Sequence, residues 1–543
     1  MADRKTSDDR ILRRQFLQTG AASLAAGIIA RSQFGAAMAQ SPHPLAGTIT
    51  VAFTTESKTL DPAKYGTGPD IYFLSQMYEM LIRPDPNMKR VNWLAESWSI
   101  GEEDGKPVVD VHLRQGVKFH NGYPLTASDI EFSYQRAKDP KISRWAYMQF
   151  SVERFEVTDD HHFKIHFKEG DAEYIAENLT LWATSKRYYD EVGEVEFGRK
   201  PVGTGPFKFV SWQIGSELRL EANEGYWNTE LRPNFKNLTI KVIPEDTTRM
   251  AAFTTGAVDW IDNVPLQALP TVKALPGVKT ATVPDGADLS ILVNTVDPKL
   301  PFADQRVRQA MAHAIDWPTI VKEILFGQGI PYTGLGPYDF GYDASIKGYD
   351  FDPEKARQLL KEAGYPNGFQ TTCYNLVTPR EANMKEVGEA AIAYLEAVGI
   401  RCNVRGLEYD AWVSMARRAR AAGQPDMDGL LMFLWGIGVP GDPSAPWFGF
   451  MHSYVPNTGY GQYSYTNDHE MDALLEEQNR MMDPEKRIVL VRKIAKIKEE
   501  RLLGGIPTYQ PLTTFAWHGD KVDFTPWPWT GKWHEMIGIK LKQ

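Results

Sequence analysis

From Thr48 to about residue 292, apolar and polar side chains alternate in short runs: Thr48 to Phe53, Val108 to Leu113, Phe163 to Phe167, Phe207 to Val210 and Leu238 to Ile243. A period of two with one buried face predicts strands, and the Gly, Pro and Asp residues between the runs predict turns. From about residue 303 the period lengthens. Val307, Ala310, Met311 and Ala314 recur at helical spacing behind Asp304, a capping residue, which predicts an amphipathic helix. Asp352-Pro353-Glu354 opens another that stops at Gly364, with Pro at the start and Gly past the end. Two more helices are predicted at about 468 to 482 and from Pro484 to about 502, and after Ile506 the sequence is strand-like and aromatic again. A strand-rich first half, a helix-rich second half and a strand-rich tail predict two lobes, with the C-terminus returning to the first. A cleft between lobes is a favoured place for a small-molecule ligand.

The first forty residues have a different logic. A polar stretch carrying Arg13-Arg14-Gln15-Phe16-Leu17 precedes an Ala/Gly-rich apolar run from Ala21 to Ala30, and then Ala37-Met38-Ala39. The run is too short to span a bilayer, and small residues at Ala37 and Ala39 suit a signal peptidase, so residues 1–39 read as a signal peptide cleaved after Ala39. Arg13 and Arg14 followed by Phe-Leu resemble a twin-arginine export signal, with the general secretory route as the alternative. No cysteine stands at the cleavage site to carry a lipid, and no other stretch reaches 18 apolar residues.

Composition narrows the classes further. Of 543 residues, 60 are basic and 69 acidic, and no run of five Lys/Arg occurs, so the basic footprint of a nucleic-acid binder is missing. The two cysteines, Cys373 and Cys402, lack zinc spacing; in an oxidising compartment they either pair or remain buried thiols, and their separation in sequence does not decide which. No G-x-S-x-G, H-E-x-x-H or Walker-type loop is present, and an exported hydrolase is therefore only a remote reading. His161, His162 and His166 form the one close histidine group. His162 and His166 would share a strand face, but with no determined third ligand they read as surface residues, and no metal or cofactor is expected.

Longer motifs then carry a resemblance. Leu94-Ala95-Glu96-Ser97-Trp98, the stretch from His112 through Gly116-Val117-Lys118-Phe119-His120-Asn121-Gly122, and Leu125-Thr126-Ala127-Ser128-Asp129-Ile130 resemble the signature of the peptide/opine/nickel family of solute-binding proteins of ABC importers. Val202 to Phe207, Asn223 to Trp227, Val307 to Met311 with Ala314 to Asp316, and Asp352 to Ala356 leading to Ala363-Gly364-Tyr365 follow in the family's order. The resemblance implies an α/β fold, a two-lobed periplasmic binding protein of type II in the large form, with an extra subdomain in lobe one. On this basis residues 40–80 and 201–293 belong to lobe one, 81–200 to the extra subdomain, 294–510 to lobe two and 511–543 to the return, with lobe crossings near Asn294 and at Thr508 to Thr513. The signature itself reads as structural: Gly116 and Gly122 suit turns, Asp129 a helix start, Trp98 and Phe119 a core.

The resemblance also implies where the ligand sits. Peptide-binding relatives carry an aspartate three residues before an acidic-Pro pair to clamp the ligand's ammonium; here Asp442-Pro443 is the pair and Val439 takes the aspartate's place. A buried ammonium without a carboxylate is costly, so this departure widens the expected ligands from peptides to blocked peptides, opines and oligosaccharides. Trp435, Gly436, Asp442 and Trp447 around this loop, Tyr509 and Trp517 after the second crossing, and Tyr65 in the Asp61-Pro62 turn are the expected ligand-binding residues, with Trp435 and Trp517 foremost. Trp527, Trp529 and Trp533 add to the aromatic tail. The reading is a periplasmic receptor, not an enzyme, that captures a peptide-like solute and delivers it to ABC permease subunits. An oligosaccharide, opine or metal complex is the alternative cargo, and by resemblance the receptor is a monomer.

Overall fold

The computed structural model describes residues 45–542, except 67, 86–88, 150, 173–180, 285–286, 332–333, 338, 377–382, 409–410, 413, 417–426, 437–440, 457–459, 462 and 527–535. Arg13, Arg14, Ala37 and Ala39 of the export signal therefore lie outside the described residues, as do Val439, Trp527, Trp529 and Trp533.

Three sheets organise the described chain. The first runs in the order Val278–Pro284, Tyr509–His518, Trp260–Ile261, Thr48–Phe53, Asn237–Val242, Glu217–Ala222, Phe207–Gln213, with Gly329–Pro331 added to the strand Tyr509–His518. Its centre, Thr48–Phe53, is parallel to both neighbours, and Ile49, Val51 and Phe53 are fully buried, as the alternation requires. The second sheet has the order Ile400–Leu407, Phe369–Leu376, Gly429–Gly436, Ala287–Val293, Ile506–Pro507. The third is antiparallel, Ala95–Glu103, Lys106–Leu113, His162–Phe167, Val152–Asp159. It lies within the span where the resemblance expects an extra subdomain, and its inner face packs Val109, Val111, Phe163 and Ile165 against Ile130 and Tyr134 of helix Ala127–Lys138.

The predicted strands and helices are found to within a few residues; the starts at Asp304 and Asp352 are capped as read, and two more caps appear at Asp468 and Asp483. Asp304 accepts from Arg306 N, Asp352 from Lys355 N, Asp468 from Met471 N and Asp483 from Glu485 N, each such cap contributing about 1 kcal/mol. The strand-rich first half also carries helices Gly68–Leu74, Ala127–Lys138, Lys186–Arg199 and Asp246–Thr254, which the alternating runs between them concealed. Apart from the excursion of Gly329–Pro331 back to the first sheet, the described chain passes between the first two sheets at two places. Val278–Pro284 belongs to the first and Ala287–Val293 to the second, so the first crossing precedes the expected Asn294; the second falls at Thr508, between Ile506–Pro507 and Tyr509–His518. Thr508 ties the crossings together, donating its N–H and hydroxyl to Leu289 O at 3.0 and 2.8 Å.

The signature residues hold loops rather than open a site. His120 grips the loop Gly203-Thr204-Gly205: it accepts from Gly203 N at Nδ1 (3.3 Å) and reaches Gly205 O through Nε2 (3.0 Å). Loss of water around the ring, opposed by the Gly205 bond, lowers its pKa to about 4, which matches a neutral ring with one donor and one acceptor nitrogen. Gly203 is required by close approach, since a Cβ there would sit 2.0 Å from Met77 O. Trp93, Tyr226 and Trp227 donate to the buried carboxylate of Glu79 at 2.6 to 3.0 Å; burial pushes that carboxyl up and the three donors oppose it. Asp129 accepts from Thr126 and from Lys186 N, joining two helix starts.

The two cysteines are joined. Cys373 and Cys402 lie on adjacent parallel strands of the second sheet, with Cα atoms 5.4 Å apart and a disulfide between them.

Candidate functional site

The place where the first and second sheets exchange strands also brings the late loop of the second sheet to the first crossing. In the antiparallel pair Ala287–Val293 and Gly429–Gly436, Asp288 stands opposite Trp435 and Ala287 opposite Gly436. The backbone of Trp435 and Gly436 thus ends at the point where the chain leaves the first sheet.

Beyond residues 437–440 the chain is fixed by an ion pair. Asp442 is fully buried, and Arg487 of helix Pro484–Arg501 grips it with two bonds, Nη1 to Oδ2 at 2.6 Å and Nη2 to Oδ1 at 2.8 Å. Ser444 N donates to Oδ1 at 3.1 Å, and Gln478 accepts from Arg487 Nε at 2.9 Å. Burial alone would raise the Asp442 carboxyl; the guanidinium overcomes it and holds the pKa at about 2. Both carboxylate oxygens are committed, so Asp442 shapes the loop from inside.

The other expected aromatics are spent on packing. Trp447 lies in a cluster with Met471, Leu475 and Val491; Tyr509 joins the large core beside Trp317, ring centroids 6.0 Å apart; Trp517 packs edge-on against Phe524 at 5.5 Å. All three are buried. Tyr65 is half-buried and stacks on Trp145 at 6.2 Å, in a turn pinned by the buried bidentate pair of Asp61 with Arg136 (2.7 Å, twice).

Sequence reasoning missed the contacts between residues of the span 81–200 and residues after 440. Arg90, on the short strand Arg90–Asn92, approaches Asp442 Oδ2 at 3.9 Å. Asn479 donates to Asp171 Oδ1 at 3.2 Å in a buried position, and Arg480 meets Glu169 at 3.3 Å. Gly170 lies so close to Arg480 that a Cβ there would stand 2.7 Å from its carbonyl oxygen. Nothing local in the sequence marks these pairs, because each partner is some 300 residues from the other. Together they close a seam between the residues around 169–171 and the helix His469–Arg480.

Known proteins match over most of this architecture. Residues 89–457 match the model of bacterial extracellular solute-binding proteins, family 5. The chain is 32% identical over 435 residues to heme-binding protein A of Haemophilus influenzae, covering 74% of this chain and 75% of that protein. It is 28% identical over 535 residues to a dipeptide-binding protein of Pseudomonas aeruginosa, covering 92% and 95%. The solved structure of HbpA2 from Haemophilus parasuis superposes with a TM-score of 0.77 at 27% identity, covering 92% of this chain and all of that one. Among the described residues no helix is long and apolar enough to cross a membrane.

Proposed function

Because this chain belongs to family 5 of the bacterial extracellular solute-binding proteins, whose members are transport receptors and not enzymes, we propose that it captures a peptide-like organic solute between its lobes and hands it to the permease subunits of an ABC importer. Export through a twin-arginine signal at Arg13-Arg14, cleavage after Ala39 and residence in the periplasm complete the reading. The observation that carries it is the match of residues 89–457 to that family, and it is supported by the contacts of Asp442 with Arg90 and of Asn479 with Asp171, which join distant parts of the chain.

The energetics suit a receptor that closes on its ligand. The Arg480–Glu169 pair is half-exposed on both sides and contributes about 0–1 kcal/mol; the Asn479–Asp171 bond, to a charged acceptor, adds about 1.5–3 kcal/mol at most. In this reading a solute that touches both lobes binds the closed form better and so shifts the population toward it. The ligand contacts of this reading come from Trp435 and Gly436 in lobe two and Tyr65 in lobe one, with the buried Asp442 holding the loop in place.

Relatives named for heme and for dipeptides make cargo class the open variable. A thermal-shift screen of the mature protein from Gln40 covers free and N-blocked peptides, opines, oligosaccharides, heme and divalent metals. Binding at a hundred times Kd adds about 2.7 kcal/mol of stability. A shift with peptide-like solutes supports the reading, and a shift with none of the panel opposes it.

A further inference from the structure

On the outer face of the third sheet, three side chains with metal-ligand chemistry meet. Asp110 and His112 alternate along strand Lys106–Leu113 and so share a face, and antiparallel pairing sets His162 directly opposite His112. The two imidazole rings stack with centroids 4.2 Å apart and planes 9° apart. Both send Nε2 to the same carboxylate oxygen: His162 lies 2.9 Å from Asp110 Oδ1 and His112 lies 3.4 Å from it. One ligand atom from each of the three lies within 4.8 Å of the others.

We propose that Asp110, His112 and His162 form a surface site for a divalent transition ion of the zinc type. A tetrahedral zinc ion with bonds of about 2.0–2.1 Å needs ligand atoms about 3.3 Å apart; the two nitrogen–oxygen separations bracket that value, and because each nitrogen lone pair lies in its ring plane, the near-parallel rings turn about their side-chain bonds to converge on the ion. Two neutral imidazoles and one carboxylate are the donor set that zinc, nickel and copper share, with a fourth position left to water. The rigidity comes from the sheet: strand pairing fixes the spacing of His112 and His162, and Val109, Val111 and Phe163 beneath them are buried. The site is open to solvent, with 54% of the His112 side chain and 30% of Asp110 exposed, so an ion has an entry path.

The neighbours are compatible with this role. Lys164, opposite Asp110 in register, points its ammonium to Glu103 at 2.7 Å, and His166, two residues further along, is engaged by Glu156 at 2.9 Å. The site is also separate from the ligand seam. His162 opens its strand, whereas Phe167 closes it beside Glu169 and Asp171 at the other end, so the proposal stands independently of what the seam binds.

The test is titration of untagged, chelator-treated mature protein with Zn²⁺ alone, by calorimetry and by competition with a chromophoric chelator. The expected result is one saturable equivalent that H112A, H162A and D110N each weaken by at least tenfold, while H166A leaves it in place. The three positions are solvent-facing, and unchanged melting curves of the metal-free variants, with H112Q as a second substitution, establish that they fold. Should the cleft also bind zinc, the H112A/H162A double variant loses one equivalent and keeps the other, which still supports the site. Wild-type protein with no saturable zinc, or a double variant that binds with the same stoichiometry and affinity as wild type, overturns it.

Discussion

Arg487 and Asp442 form a bidentate ion pair that is closed to solvent on both sides and ties the first turn of helix Pro484–Arg501 to the loop that follows the Trp435 strand. A buried pair of this kind adds little net stability over apolar packing, but removing one partner strands the other charge. R487M is expected to destabilise the protein by about 3–5 kcal/mol and to loosen solute binding further, whereas R487M/D442L recovers most of the stability. Denaturant unfolding of the single and double variants, with solute affinity measured alongside, tests this; equal stabilities of R487M and wild type would contradict it.

The same pair makes a prediction for acid. The folded pKa of Asp442 is lowered to about 2 from an ordinary 3.8, so its stabilising contribution is present above the ordinary value and is lost as pH falls from about 4 toward 2. Glu499 behaves oppositely. Burial, only partly offset by Lys498, raises its carboxyl from 4.5 to about 7, so the contribution of its protonated form is present below the ordinary value and is lost as pH rises through about 7. E499Q is therefore expected to raise the melting temperature at about pH 8 and to leave it little changed near pH 5. Melting curves across that range decide it, and a uniform shift at every pH would refute the assignment.

The disulfide closes a loop with a sequence separation of 29. In the chain-entropy account a loop of that size contributes about 3–4 kcal/mol through the unfolded chain. Reduction, or the C373S/C402S variant, is expected to lower unfolding stability by that order while solute affinity stays within about twofold, since the bridge joins strands on the far side of the sheet from Ala287–Val293. Mass spectrometry with and without reductant provides the direct check on the bond.

The seam residues separate closure from stability. N479A removes a buried bond to Asp171 and is expected to weaken solute binding by about three- to tenfold, a loss of about 1 kcal/mol in the closed form. R480A removes an exposed pair with Glu169 and should change affinity by less than about twofold. Calorimetry of both variants with the same solute checks the order; a larger effect for R480A would reverse the account of the seam.

Much of this architecture is legible in the sequence, and the boundary between what is and what is not has a physical cause. Alternation located Thr48–Phe53, and Asp304 and Asp352 located two helix starts, because both signals are local. Gly116 and Gly122, read as turn residues, have φ of +79° and +91°, where only glycine is unstrained. The partners were not legible. Asp442 was singled out by its neighbour Pro443, but Arg487, a charged residue in a helical first turn, carries no sign that it will be buried. Aromatic density near the crossings marked Trp447, Tyr509 and Trp517, yet the same composition serves a core as well as a cleft, and these three went to the core. His162 was paired with His166 along one strand, whereas the fold supplies His112 and Asp110 from the next; alternation put Asp110 and His112 on one face, and only the pairing brings His162 to them.

The central claim is that a solute draws the two lobes together. Small-angle scattering of the mature protein, alone and saturated with a solute found by the thermal-shift screen, tests it most directly. The account predicts a smaller radius of gyration with solute, and a smaller change for N479A at equal subsaturating concentration. A radius unchanged at full occupancy would contradict closure as the means by which this receptor registers its cargo.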